Sequence, residues 1–258
     1  MPVAAGLYYF SHEEDNYSRP PVILIHGAGG THLHWPPQTR RMTGQRVFAP
    51  DLPGHGKSEG VGHQSVGDYA EAVVQFMDAA RLNAAVMVGH SMGSAIALTL
   101  ALDFPDCVLG LGLVGSGARL RVLPAILDGT ADPSAFDATV KTINDLSYGP
   151  RVKPRTKELA ALRMAETRPS VLHGDFVACN EFDVMDRLGE LSIPALVLCG
   201  AEDNMAPPRY SEYLRDHIRA ARLRTFDGVG HMLMLEQPDA FTEALTGFLN
   251  EIPYRMGQ

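Results

Sequence analysis

The sequence predicts an α/β fold, a mostly parallel sheet of seven to eight strands flanked by helices. Two observations carry this prediction. Short, continuous apolar runs end at glycine or proline, as strands buried on both faces do. Longer segments with helical spacing alternate with them, the rhythm of βαβ units. Residues 22–25, 46–49, 84–88, 108–114, 195–199 and 223–226 are the expected strands, and 7–11 is the one strand expected before them. With only 7–11 ahead of residue 22, the sheet could hold seven strands instead of eight.

The helices follow in order. Residues 66–81 place Val66, Tyr69, Ala70, Val73, Val74 and Met77 on one face, with Ser65 as N-cap. Residues 92–104 are small and apolar all round, which suits a helix buried against the sheet. Residues 208–218 and 238–249 supply the last two. Between residues 118 and 191 the rhythm breaks: Pro124, Pro133, Pro150, Pro154 and Pro169 punctuate helical patches at 123–127, 134–146, 156–167 and 171–184, with no strand among them. This predicts a helical lid inserted after the sixth strand of an eight-strand sheet. The expected division is a core of residues 1–117 and 192–258 with a cap of 118–191.

At 258 residues the chain can bury a large core. Its formal charge of −8 has no basic face to neutralise phosphates, so a nucleic-acid partner is not expected. Cys107, Cys179 and Cys199 are too scattered for a disulfide framework or zinc site. No run approaches the length of a membrane helix, and residues 1–10 lack the pattern of a signal peptide. The expectation is a cytoplasmic protein with no cofactor, metal or membrane partner.

The chemistry centres on Gly89-His90-Ser91-Met92-Gly93, a G-x-S-x-G motif between an apolar strand and a small-residue helix. A serine at such a turn is forced into a strained backbone, and its neighbours two residues away must be small. The motif alone is weak, but this context makes it specific. Other segments then agree, and the chain resembles the α/β-hydrolase family. Residues 25–30 (Ile-His-Gly-Ala-Gly-Gly) are similar to its H-G-x oxyanion loop. Residues 51–58 are similar to its D-x-P-G-x-G-x-S turn, 200–203 to its acid turn, and 228–231 with Glu236-Gln237-Pro238 to its histidine turn. The resemblance spans residues 22–249 outside the lid.

It implies Ser91 as nucleophile, His231 as base and Asp203 as the acid that orients it, in the order serine, aspartate, histidine. His231 also stands out among ten histidines as the one in a glycine-flanked loop after a last strand. Glu202 is the near rival of Asp203, with Asp183 and Asp186 as distant ones. The oxyanion hole is expected from the N–H groups of Met92 and Ala28, with an uncertainty of one position because Gly29 and Gly30 follow. Gly29 and Trp35 are candidate substrate contacts, although Trp35 suits the core equally well. His32 and His34 read as surface residues. Met164, Met185, Met232 and Met234 suit an acyl pocket or ordinary core.

A serine nucleophile points to acyl transfer, and the first reading is a carboxylesterase acting on a small-molecule ester. A C–C hydrolase of ring-cleavage products, or a perhydrolase, is the enzymatic alternative. The former expects an arginine in the pocket wall, from Arg119, Arg121 or Arg163. A small-ligand binding protein is the non-enzymatic alternative.

Overall fold

A computed structural model describes residues 2–13 and 19–253. In chain order, the strands and helices are β1 (Val3–Ala4), β2 (Leu7–His12), β3 (Val22–Ile25), α1 (Pro37–Arg40), β4 (Val47–Pro50), α2 (Val66–Ala79), β5 (Ala85–His90), α3 (Met92–Asp103) and β6 (Val108–Val114). Then come α4 (Pro124–Ala131), α5 (Phe136–Ser147), α6 (Pro154–Ala165), α7 (Pro169–Glu181), β7 (Ala195–Gly200), α8 (Pro208–His217), β8 (Ala221–Phe226), α9 (Leu233–Glu236) and α10 (Pro238–Leu249). One eight-stranded sheet has the order β1-β2-β4-β3-β5-β6-β7-β8. It is parallel from β4 to β8, while β2 runs antiparallel to both β1 and β4.

The eighth strand is β1, two residues that sequence periodicity does not resolve. Its turn is made by Ala5 and Gly6, both at positive φ (48° and 78°), a backbone sign that suits a tight hairpin turn. The short helices α1 and α9 are not expected from the sequence, while the other elements match the expected ones within a few residues, and the Ser65 hydroxyl does cap α2, accepting from the Gly67 and Asp68 N–H groups.

Alternation along each strand divides the core into two layers. Ile23 and Ile25 of β3 face one cluster with Phe48, Val73, Phe76 and Ile96, while Val22 and Leu24 face another with Val86, Val88, Phe241 and Phe248. Helix α3 is buried almost throughout, as its small apolar composition requires. Its tight seat beneath the sheet holds the turn that precedes it.

The segment between β6 and β7 contributes α4 to α7, and Ile126, Phe136, Val140, Ile143, Leu172 and Phe176 make its own apolar cluster, with Ala28 and Met205 packed against it. Phe182 lies in the main core, not in this cluster. It ends α7 and anchors the return of the chain to the sheet. No helix among the described residues is long and apolar enough to cross a membrane.

Candidate active site

Ser91 sits between β5 and α3 with φ 54° and ψ −118°, one of three non-glycine residues at positive φ among those described. Such a conformation costs of order 1–3 kcal/mol and persists only when its surroundings enforce it. Here they do. The Ser91 N–H donates to the Val114 carbonyl at 2.8 Å. The Ser94 hydroxyl bridges the strands, donating to the Gly89 carbonyl at 2.5 Å and accepting from the Val114 N–H at 3.0 Å. A Cβ on Gly89 would collide with the Gly93 carbonyl, and one on Gly93 with the Ile25 carbonyl. Glycine is therefore required on both sides of the serine.

The Asp203 turn follows β7 and the His231 turn follows β8. The Nδ1 of His231 lies 2.8 Å from Asp203 Oδ2, and because a carboxylate only accepts, Nδ1 carries the proton. The other oxygen, Oδ1, accepts from the Met205 and Ala206 N–H groups, each at 2.8 Å. Asp203 is thus fixed from both sides, and His231 is left with Nε2 free to accept. Both side chains are buried. Gly115 and Gly200 let the turns close together: a Cβ on Gly115 would stand 3.0 Å from His231 Nδ1, and one on Gly200 would strike the Gly230 carbonyl. Glu202 is exposed, so the acid beside His231 is Asp203.

Ser91 and His231 line one cavity of about 50 Å³, walled by Leu123, Ile126 and Phe176 from the helical segment and by Met205. Among the described residues no hydrogen bond joins Ser91 to His231; such contacts commonly tighten only when substrate binds. The Met92 and Ala28 N–H groups have no partner among the described residues. Ala28 belongs to a loop that approaches the serine closely, since a Cβ on Gly27 would lie 3.1 Å from Ser91 Cβ.

Two expected substrate contacts are placed differently. Trp35 is fully buried in the opposite layer, its ring 6.1 Å from that of Phe241, because the short helix at residues 32–34 turns it away from the cavity. Gly29 has its N–H committed at 2.8 Å to Asp175 Oδ2, so this group is not open to a ligand. Nor are His32 and His34 free surface residues. The His32 ring lies 2.8 Å from Asp51 Oδ1, and His34 packs against His26 and His90. Burial, then the positive field of His55, lowers the His34 pKa to about 4. Of the methionines, Met205 reaches the cavity, Met232 lines a separate one of about 180 Å³ with His34 and Arg163, and Met234 is core. Met164 lies over Gly29, and Met185 lines a third cavity with Arg119. Arg121 does line the Ser91 cavity, with one N–H donating to the Asn180 carbonyl at 3.0 Å.

Asp175 is the residue that sequence reasoning missed. It sits mid-helix in α7, 120 positions from His55, and nothing local distinguishes it from an ordinary helical aspartate. It is completely buried and accepts from His55, from Gly29 and from the Tyr69 hydroxyl.

Comparison with known proteins agrees with this fold. A sequence model of the alpha/beta hydrolase fold matches residues 20–238. A 2-hydroxy-6-oxo-6-phenylhexa-2,4-dienoate hydrolase of Burkholderia cepacia is 31% identical, over 88% of this chain and 87% of its own. A RutD protein of Azorhizobium caulinodans, provisionally named a carbamate hydrolase, is 30% identical over 98% and 99% of the two chains. A solved thermophilic esterase superposes with a TM-score of 0.81 at 33% identity, covering 95% of this chain and 98% of that one.

Proposed function

The chain belongs to the alpha/beta hydrolase fold family, and on that premise we propose that it is a serine hydrolase of small to medium carboxylic esters. The observation that carries this is the pairing of His231 Nδ1 with Asp203 Oδ2 at 2.8 Å, with Ser91 held at a positive-φ turn on the same cavity. Asp203 fixes the tautomer of His231 and stabilises the imidazolium that forms when Nε2 takes the serine proton. Ser91 Oγ attacks the ester carbonyl, and the resulting oxyanion is met by the Met92 and Ala28 N–H groups. The imidazolium then protonates the departing alcohol. Water, deprotonated by His231, cleaves the acyl-enzyme and returns the serine proton.

The segment of residues 118–191 acts as a cap on a core of 1–117 and 192–258. Leu123, Ile126 and Phe176 supply the apolar wall that receives the acyl or alcohol group. Three free thiols, Cys107, Cys179 and Cys199, in an acidic chain suit the reducing cytoplasm.

A second reading, C–C cleavage of a carboxylated dienol, is favoured by Arg121 alone, because it brings a cation to the cavity wall. The test is a turnover panel of p-nitrophenyl acyl esters, lactones and dienol acids, run with the native chain and with Ser91→Ala. The proposal expects neutral esters to be turned over with the highest catalytic efficiency and Ser91→Ala to abolish it. A preference for the dienol acids transfers the reading to C–C cleavage. Binding without turnover of any member refutes both.

A further inference from the structure

We infer that Asp175, clamped to His55, is a positioning residue that sets the aim of the oxyanion loop from within the helical segment. This rests on the esterase reading above. Its evidence is a buried set of contacts that the triad chemistry leaves unused.

Three donors converge on one carboxylate. Gly29 N–H and His55 Nε2 both lie 2.8 Å from Asp175 Oδ2, and the Tyr69 hydroxyl donates to Oδ1 at 2.6 Å. The second ring nitrogen of His55 faces the Pro53 carbonyl at 3.1 Å. Carbonyl and carboxylate oxygens only accept, so the ring must donate from both nitrogens and carry a proton on each. Burial pulls the His55 pKa down, but the Asp175 carboxylate outweighs it and leaves the pKa raised. The pair is therefore an imidazolium–carboxylate, with both side chains fully buried. Such a pair is a weak source of net stability compared with apolar packing; what it supplies is fixed geometry.

That geometry bears on Ala28. Residues 28 and 29 share a peptide plane, so holding the Gly29 N–H against Asp175 fixes the orientation of that plane. The N–H of Ala28 lies on the preceding peptide plane, separated from it only by the φ and ψ of Ala28. The same loop is closed by Gly30 N–H donating to the Gly27 carbonyl at 3.0 Å. The Thr167 hydroxyl donates to the Gly29 carbonyl at 3.2 Å. Gly29 itself has φ 61°, and a Cβ there would stand 2.7 Å from Leu172 Cδ1 of α7, so α7 seats on the loop at van der Waals contact. Arg168 ties the D-x-P-G-x-G turn to the helical segment, donating to the Gly54 carbonyl at 3.4 Å and, just past the turn, to the Gly60 carbonyl at 2.6 Å. Asp175 is thus the polar centre of the contact between the helical segment and the loop.

Asp175→Asn separates positioning from packing. The amide keeps the shape but offers one accepting oxygen in place of two, so at least one of the three donors loses its partner. The His55 charge loses its counterion as well. The assay is hydrolysis of a neutral p-nitrophenyl ester, with kcat referred to active sites titrated by a fluorophosphonate. It is paired with the affinity of an alkyl trifluoromethyl ketone. Ser91 Oγ adds to that ketone carbonyl while His231 takes the serine proton, giving a hemiketal oxyanion that tests the hole directly.

The expected result is a fall of about tenfold or more in kcat per active site, short of the ~10²–10³ seen when an oxyanion donor is removed outright. The ketone should weaken in parallel, with KM within about twofold. A lowered melting temperature with kcat per site and ketone affinity unchanged would overturn the inference and leave Asp175 a structural residue. If Asp175→Asn does not fold, His55→Gln, which keeps a neutral donor toward Asp175, must show the same split to a smaller degree. Native kcat per site in that variant would overturn it equally. Activity surviving in Ser91→Ala would instead refute the esterase reading on which all this depends.

Discussion

Acidification from pH 6.5 to about 4.5 should destabilise the protein before most of its carboxylates are protonated. The cause is a group of buried neutral histidines behind the Ser91 turn. His26 donates from Nδ1 to the Gly27 carbonyl at 2.8 Å and accepts the Leu52 N–H on Nε2 at 2.9 Å, so a second proton would break the latter bond. Burial first, then the His55 charge, holds its pKa well below the usual value. His90 is depressed by burial and by neighbouring His231. The His34 pKa falls from 6.5 to about 4, for the reasons given above. A histidine depressed in the folded state contributes stability that is complete above its unfolded pKa and is lost as pH falls toward the folded one. At 1.36 kcal/mol per unit, His34 alone costs up to ~2.5 kcal/mol by pH 4.5. The partial exposure of His34 makes this an upper figure. Against a typical total of roughly 5–15 kcal/mol this is a large share.

His55 acts in the opposite sense. Its raised pKa gives stability that is complete below the unfolded value and is lost as pH rises through the folded one. The stability curve should therefore have a maximum near neutrality. Urea unfolding at constant ionic strength, at several values from pH 8 to pH 4.5, measures it directly. The midpoint should fall on the acid side by about 1 M at unchanged m. His34→Gln should flatten the acid limb whatever it does to stability at pH 7. A midpoint that is level from pH 7 to 4.5, or a His34→Gln limb as steep as the native one, would refute the reasoning.

Other substitutions test the site. Asp203→Asn should lower kcat by about 10³-fold or more with the fold retained, since the amide favours the wrong His231 tautomer. Glu202→Gln, on an exposed side chain, should stay within about twofold of the native rate, as surface changes usually do. Replacing Leu123 or Ile126 by Trp fills the cavity wall, so catalytic efficiency measured from acetyl to decanoyl esters should shift toward short acyl chains. An unshifted profile would mean that substrate does not pass along this wall.

Much of the site was legible because its parts are local. The Ser91 turn needs glycine two residues away on each side, and that requirement is written in five consecutive positions. The helix behind it is small and apolar because it is buried, and that too is visible in composition. The hairpin of β1 was not legible, since two residues carry no period; only the Ala5-Gly6 turn marks it. Trp35 could not be assigned to core or cavity from its type, and its place depended on the direction of a three-residue helical turn. Asp175 was invisible for a different reason. Its partners His55, Tyr69 and Gly29 are 106 to 146 positions away, and no spacing rule spans that distance.

The identity of the nucleophile is the claim on which the account turns, and one measurement addresses it most directly. The native chain is incubated at pH 8 with a serine-directed fluorophosphonate, and the modified residue is located by peptide mass spectrometry while ester hydrolysis is followed. One equivalent on Ser91, formed at the rate at which activity is lost, is the predicted result. Stoichiometric modification at another residue, or full activity with Ser91 modified, would contradict it.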